Sequence, residues 1–129
     1  MSADIQMKID IRSAPRKIYD TLLDGKLFAA FTGGGDAEID ATEGGAFSCF
    51  GGRIVGRNIQ LKPGQRIVQA WRTQNWPDGQ FSIVRFELAK TNSGTTLTMD
   101  HSGVPDGQLE HLTQGWTAMY WDPLTKYLG

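Results

Sequence analysis

With 129 residues, 13 basic and 14 acidic side chains and a formal net charge of −1, the chain lacks the basic excess of a protein that tracks nucleic acid or an anionic membrane by charge. A single cysteine, Cys49, excludes an internal disulfide and a cysteine-based zinc site. No run approaches the roughly 18 apolar residues of a membrane span, so the expectation is one soluble, cytoplasmic domain, 1–129, that buries its own core.

The first predicted element is a strand over 4–11. Ile5, Met7, Ile9 and Ile11 alternate with Gln6, Lys8 and Asp10, the period of a half-buried strand. Ser13-Ala-Pro15 then opens a helix, with Ser13 as the expected cap and Pro15 in the first turn. Ile18, Leu22 and Leu23 form its apolar stripe. Asp24-Gly25 ends it or starts a second short helix carrying Leu27, Phe28 and Phe31. Gly33-Gly34-Gly35 reads as a loop. It is no phosphate cradle, because no strand precedes it and no helix follows.

From Asp36 to His101 the pattern is strand and turn. Strands are expected at 37–41, 45–50, 53–61, 66–73, 80–89 and 95–102, separated by glycine- and proline-rich turns such as Lys62-Pro63-Gly64-Gln65 and Asn92-Ser93-Gly94. The spacers are short, which favours antiparallel hairpins over crossover units. Val84, Phe86 and Leu88 share one face of their strand; Leu97, Met99 and His101 share one face of theirs. The last element is a helix over 106–128 with Asp106 as its cap. Leu109, Leu112, Trp116, Met119, Pro123 and Tyr127 recur at steps of three and four, the spacing of one helix face. Pro123 removes a backbone donor and crowds the Met119 carbonyl, so a bend is expected near 119–123. An antiparallel sheet with one polar face must bury the other, and this helix is the natural cover. The class is α+β.

Several side chains stand out within that frame. His101 ends an apolar strand face, where it is either a general base or polar anchor in a cavity or a histidine satisfied by its surroundings. His111 lies one position off the helix stripe. A metal site from the two histidines would need a carboxylate that the spacing does not offer. Cys49 reads as a small core residue. Arg57 shares its alternation with Val55, Ile59 and Leu61, which places it in a cavity toward a ligand carboxylate or, through a bulge or an outward apolar face, away from one. The rings of Trp71, Trp76, Phe81, Phe86, Trp116, Tyr120 and Trp121 are core, or partly the lining of an apolar site. No cofactor fingerprint and no nucleophile elbow is present.

Local strings in this order carry a resemblance. They are Ala14-Pro15-Arg16-Lys17-Ile18-Tyr19, Gly52-Arg-Ile-Val-Gly56, Leu61-Lys-Pro63, Arg66-Ile-Val-Gln-Ala-Trp71-Arg72, Gly94-Thr95, and Gly115-Trp116 followed by Tyr120-Trp121 and Leu124. Over essentially the full length the chain resembles the Bet v 1-like, helix-grip superfamily (the START/SRPBCC group), and more closely proteins related to the C-terminal domain of the activator of Hsp90 ATPase. The resemblance implies a seven-stranded antiparallel sheet gripping the long helix, with a cavity between them. The group includes ligand carriers, chaperone-binding domains and cyclases, so fold alone does not assign function.

Three functions follow as expectations. The first is a non-catalytic module binding a small apolar or aromatic molecule, with Trp71, Phe86, Met99, Trp116 and Tyr120 lining the space and Arg57 and His101 supplying polar contacts. Its cavity mouth is expected beyond Pro123, where the helix is easiest to lift. The second is a protein-interaction domain, directed at a chaperone or another protein, as the resemblance allows. The third is an enzyme acting on a cyclic or aromatic substrate, with His101 or an acidic residue as base.

Overall fold

The computed structural model describes residues 4–128. Strand β1 (Ile5–Ile11) leads into two short helices, α1 (Pro15–Leu23) and α2 (Gly25–Thr32). Six further strands follow: β2 (Glu38–Ile39), β3 (Ala46–Cys49), β4 (Ile54–Lys62), β5 (Arg66–Thr73), β6 (Ser82–Thr91) and β7 (Gly94–Ser102). The described strands form one antiparallel sheet in the order β1-β7-β6-β5-β4-β3-β2. A single continuous helix, α3, closes the chain. It comprises Leu109–Gly115, a π-helical turn Trp116–Trp121, and Asp122–Leu128. The helix-grip architecture is therefore present, and no helix among the described residues is long and apolar enough to cross a membrane.

The caps differ from expectation at two helices. Ala14, not Ser13, precedes α1, and no side chain caps it; Pro15 stands in the first turn, and Ser13 instead offers its carbonyl to the Thr95 hydroxyl at 2.7 Å. Helix α3 starts after Gln108 rather than at Asp106, again without a side-chain cap. Asp24 does cap α2, its carboxylate accepting from the Leu27 N–H at 2.9 Å. Satisfying one orphan N–H in this way stabilises a short helix whose apolar face, Phe28 and Phe31, is buried.

The covering helix buries a different stripe from the one its spacing suggests. Leu112, Trp116, Tyr120, Trp121 and Leu124 are buried, while Leu109, Met119 and Tyr127 are exposed. The π turn explains the shift. A widened turn takes about one residue more than an α turn, so residues five apart come to lie on one face. Trp116 and Trp121 stack at 5.6 Å and 13°, and the Asp122 N–H donates to the Thr117 carbonyl five positions back. Pro123 sits directly after this turn. The disturbance expected at 119–123 thus takes the form of a π turn ending beside the proline, which cannot donate to the carbonyl four residues before it.

Strand β4 carries the other departure. Its pairing with β5 slips between Asn58 and Gln60, so Ile59 is a bulge. Before the bulge, Gly56 and Asn58 face the core, and Arg57 and Ile59 are exposed. After it, Leu61 turns inward to pack on the core. Gly56 has no alternative at its position. A Cβ there would stand 1.9 Å from the Ala70 carbonyl oxygen and 2.8 Å from the Phe47 ring.

Candidate functional site

The aromatic cluster between sheet and α3 is built from every layer of the fold. Trp116 of α3 stacks on Trp71 of β5 (5.5 Å, 27°) and meets the edges of Phe86 on β6 (5.9 Å) and His101 on β7 (5.6 Å). Tyr120 packs on Trp116 (4.4 Å) and reaches Phe28 of α2 and Phe50. Alternation along the strands turns Trp71, Phe86 and His101 to one face, and the four-residue step along α3 turns Trp116 and Tyr120 toward them.

His101 is fully buried at the centre of this cluster. An indole nitrogen can only donate, so the Trp116 Nε1–H donates to His101 Nδ1 at 3.0 Å. The proton then rests on Nε2, which donates to Ser82 Oγ at 2.6 Å. The Ser82 hydroxyl passes its own hydrogen to the Trp71 carbonyl at 3.1 Å. Every polar atom of the chain of contacts is paired, and the imidazole is neutral. Burial pushes its pKa down to about 4, with Asp4 acting weakly the other way. His101 is therefore a positioning group for Trp116, with no nitrogen left for a substrate.

Beside the cluster lies an open cleft of about 400 Å³. Its floor is Phe50, Trp71, Leu112, Trp116 and Tyr120; Ile54, Gly115 and Met119 extend the apolar wall. Its rim is polar: Arg53, the Thr73-Gln74-Asn75 turn after β5, Gln108 and His111. The cleft opens between the connection from β3 to β4 and the first half of α3. The mouth expected beyond Pro123 is thus corrected to the opposite half of the helix. Beyond Pro123, Leu124 is fully buried, whereas Gln108, His111, Leu112, Gly115, Trp116, Met119 and Tyr120 border the cleft.

Three of the seven predicted site residues, Trp71, Trp116 and Tyr120, line this cleft. Phe86, Met99 and His101 are buried in the packed layer behind it. Arg57 is the correction. It is exposed on the outer sheet face, where its Nη1 donates to the Gly44 carbonyl at 3.0 Å, because the bulge at Ile59 reverses the facing of the strand. Phe81 is exposed as well, beneath the Arg72 guanidinium at 5.7 Å. Phe50, Arg53 and Met119 are cleft residues that the pattern reading missed. Phe50 had one signal, its place before Gly51-Gly52. It adopts φ 55, a strained conformation for a bulky side chain that persists only where neighbours hold it. Here the Gly51 N–H donates to the Asp36 carbonyl at 2.9 Å, and the Phe50 ring meets Phe28 and Tyr120 edge-on.

The buried ionisable groups at and beside the floor are held in their neutral forms. Burial raises the Tyr120 phenol well above its ordinary value, and the Cys49 thiol adds to this. The neighbouring Trp71 indole opposes the shift, although its buried Nε1–H falls short of a proper hydrogen bond to any acceptor. The Cys49 thiol is pushed up to about 12 by burial, far from the thiolate a nucleophile needs. Among the described residues no group of three His, Cys, Asp or Glu side chains could hold a metal ion.

The family model described as activator of Hsp90 ATPase homolog 1-like protein matches residues 12–129. The chain is 30% identical over 125 residues to the activator of 90 kDa heat shock protein ATPase homolog 1 of Homo sapiens, which covers 97% of this chain and 37% of the human protein. It is 33% identical over 113 residues to the corresponding homolog of Dictyostelium discoideum, covering 87% of this chain and 29% of that protein. The chain thus spans about a third of the length of the curated relatives it matches. A solved structure of an HSP90 activator from Plasmodium falciparum superposes with a TM-score of 0.92 at 25% identity, covering 97% of this chain and 95% of that one. The Aha1 dimer from Colwellia psychrerythraea, at 19% identity and a TM-score of 0.82, shares the fold.

Proposed function

The chain belongs to the activator of Hsp90 ATPase homolog 1-like protein family, and we propose that it is a protein-interaction module that binds an Hsp90-type chaperone and changes its ATPase turnover. One observation carries the reading: near end-to-end likeness to a solved chain described as an HSP90 activator. The surface is compatible with it. Leu109 and Met119 of α3 are exposed, Met119 at the wall of the cleft beside its polar rim. Apolar residues framed by polar ones are the usual make-up of a docking surface. The test is calorimetric titration of the folded chain into a purified Hsp90-type chaperone. Saturable binding is the expected result, and absence of heat at the highest soluble concentrations counts against the proposal.

A second reading is favoured by the cleft. Its volume falls in the range of small-molecule sites, and its lining is mostly ring and aliphatic surface with a few polar groups at the rim. In this reading a small apolar or aromatic molecule lies over Trp71, Trp116 and Tyr120. Phe86, Met99 and His101 act from behind, fixing the orientation of the rings without touching the ligand. The two readings are compatible, since an occupant of the cleft would bear on the same helix flank that carries Met119.

A further inference from the structure

The cleft has a charge pattern that narrows its occupant. No carboxylate lines it. The one permanently charged group is Arg53, at the rim, on the residue that joins the strained Phe50–Gly52 turn to β4. Its guanidinium enters none of the ion pairs of the described residues. The backbone around it is well held: the Arg53 N–H donates to the Phe50 carbonyl at 3.4 Å, and the Gln74 N–H donates to the Arg53 carbonyl at 2.7 Å. The side chain therefore stands on a fixed base at the edge of an apolar, acid-free cleft. A planar guanidinium is suited to grip a carboxylate through two parallel N–H bonds.

We infer that the cleft takes a small apolar carboxylate, its ring or hydrocarbon body over Trp71, Trp116 and Tyr120 and its carboxylate at Arg53. The inference rests on the reading of the cleft as a ligand site. The body supplies apolar burial, which favours acids and neutral molecules alike. Arg53 supplies the discrimination, because only the anion gains a charge-assisted pair at the rim. Neutral apolar molecules of the same shape bind, but less tightly. Salt weakens the acid more than the neutral compound, since the pair lies at the solvent edge.

The experiment compares 2-naphthoate with 2-naphthylmethanol by calorimetry at neutral pH, with the parent chain and with Arg53→Gln. Arg53 is exposed, so the variant keeps the fold, which circular dichroism checks. The expected result is one-site binding of both probes, with the acid about tenfold tighter, a scale of one charged hydrogen-bonded pair. Arg53→Gln brings the acid to the affinity of the alcohol and leaves the alcohol unchanged. Equal affinities in the parent, or an acid preference that survives Arg53→Gln, overturns the carboxylate assignment while the ligand reading stands. Failure of both probes to bind overturns the ligand reading and the assignment with it.

Discussion

Trp116→Ala is expected to cost about 3–5 kcal/mol of folding stability, the range for truncating a buried tryptophan. The ring is 2% exposed and contacts three strands, through Trp71, Phe86 and His101. Removing it leaves a void between sheet and helix that Trp71 and Trp121 cannot both collapse into, since each is packed by its own neighbours. The substitution also deletes the donor to His101 Nδ1, leaving a buried acceptor unpaired and adding to the penalty. For a domain of this size the loss corresponds to a fall in Tm of roughly 10–25 °C. Thermal melting followed by circular dichroism reads it directly. A variant melting within a few degrees of the parent would mean that α3 is not held to the sheet by this ring. Trp116→Phe separates the two parts of the effect, because it restores most of the volume and none of the hydrogen bond.

The second large effect is a dependence of stability on pH that belongs to His101. In the unfolded chain the imidazole titrates near its ordinary value, about 6.5. In the folded protein burial lowers it to about 4. Between these values the unfolded state binds the extra proton, so stability must rise with pH across the window. Its contribution is complete above about 6.5, declines as the pH falls, and is gone once the pH has passed below about 4. The full span is on the order of 3 kcal/mol. Protonation also turns Nδ1 from acceptor to donor, in direct conflict with the Trp116 Nε1–H. Urea denaturation at several pH values between 4 and 7 measures the slope. His101→Leu removes the titrating group, so the difference in slope between parent and variant isolates it from the carboxylates. Identical slopes in the two proteins would show that His101 is not buried neutral as described.

Most of the sheet was readable because period-two alternation survives translation into strands: β5 coincides with the predicted 66–73, and β7 differs by one residue from 95–102. The pairing of Asp24 with a short helix was equally local. What escaped the pattern were features set by one extra residue. The bulge at Ile59 turned Arg57 outward, and the π turn at Trp116–Trp121 exchanged Met119 for Tyr120 and Trp121 on the buried face. Neither insertion changes composition or propensity, so a fixed period cannot register it. Trp71, Phe86, Met99, His101 and Trp116 were legible, since these five fall on apolar faces of their elements, whereas Tyr120 lies off the expected helix stripe and stood out only as a large ring. The cleft was not legible, because its position depends on which turns of α3 stand off the sheet. Phe50 and Arg53 belong to it through a left-handed turn whose geometry is held by the Asp36 carbonyl, a contact distant in sequence.

The most direct test of the central claim is the steady-state ATPase rate of a purified Hsp90-type chaperone titrated with the folded chain. The account predicts a saturable change in turnover that tracks the binding isotherm and is lost when the chain is unfolded beforehand. An unchanged rate over the range in which binding saturates, or no binding at any ratio, would contradict it.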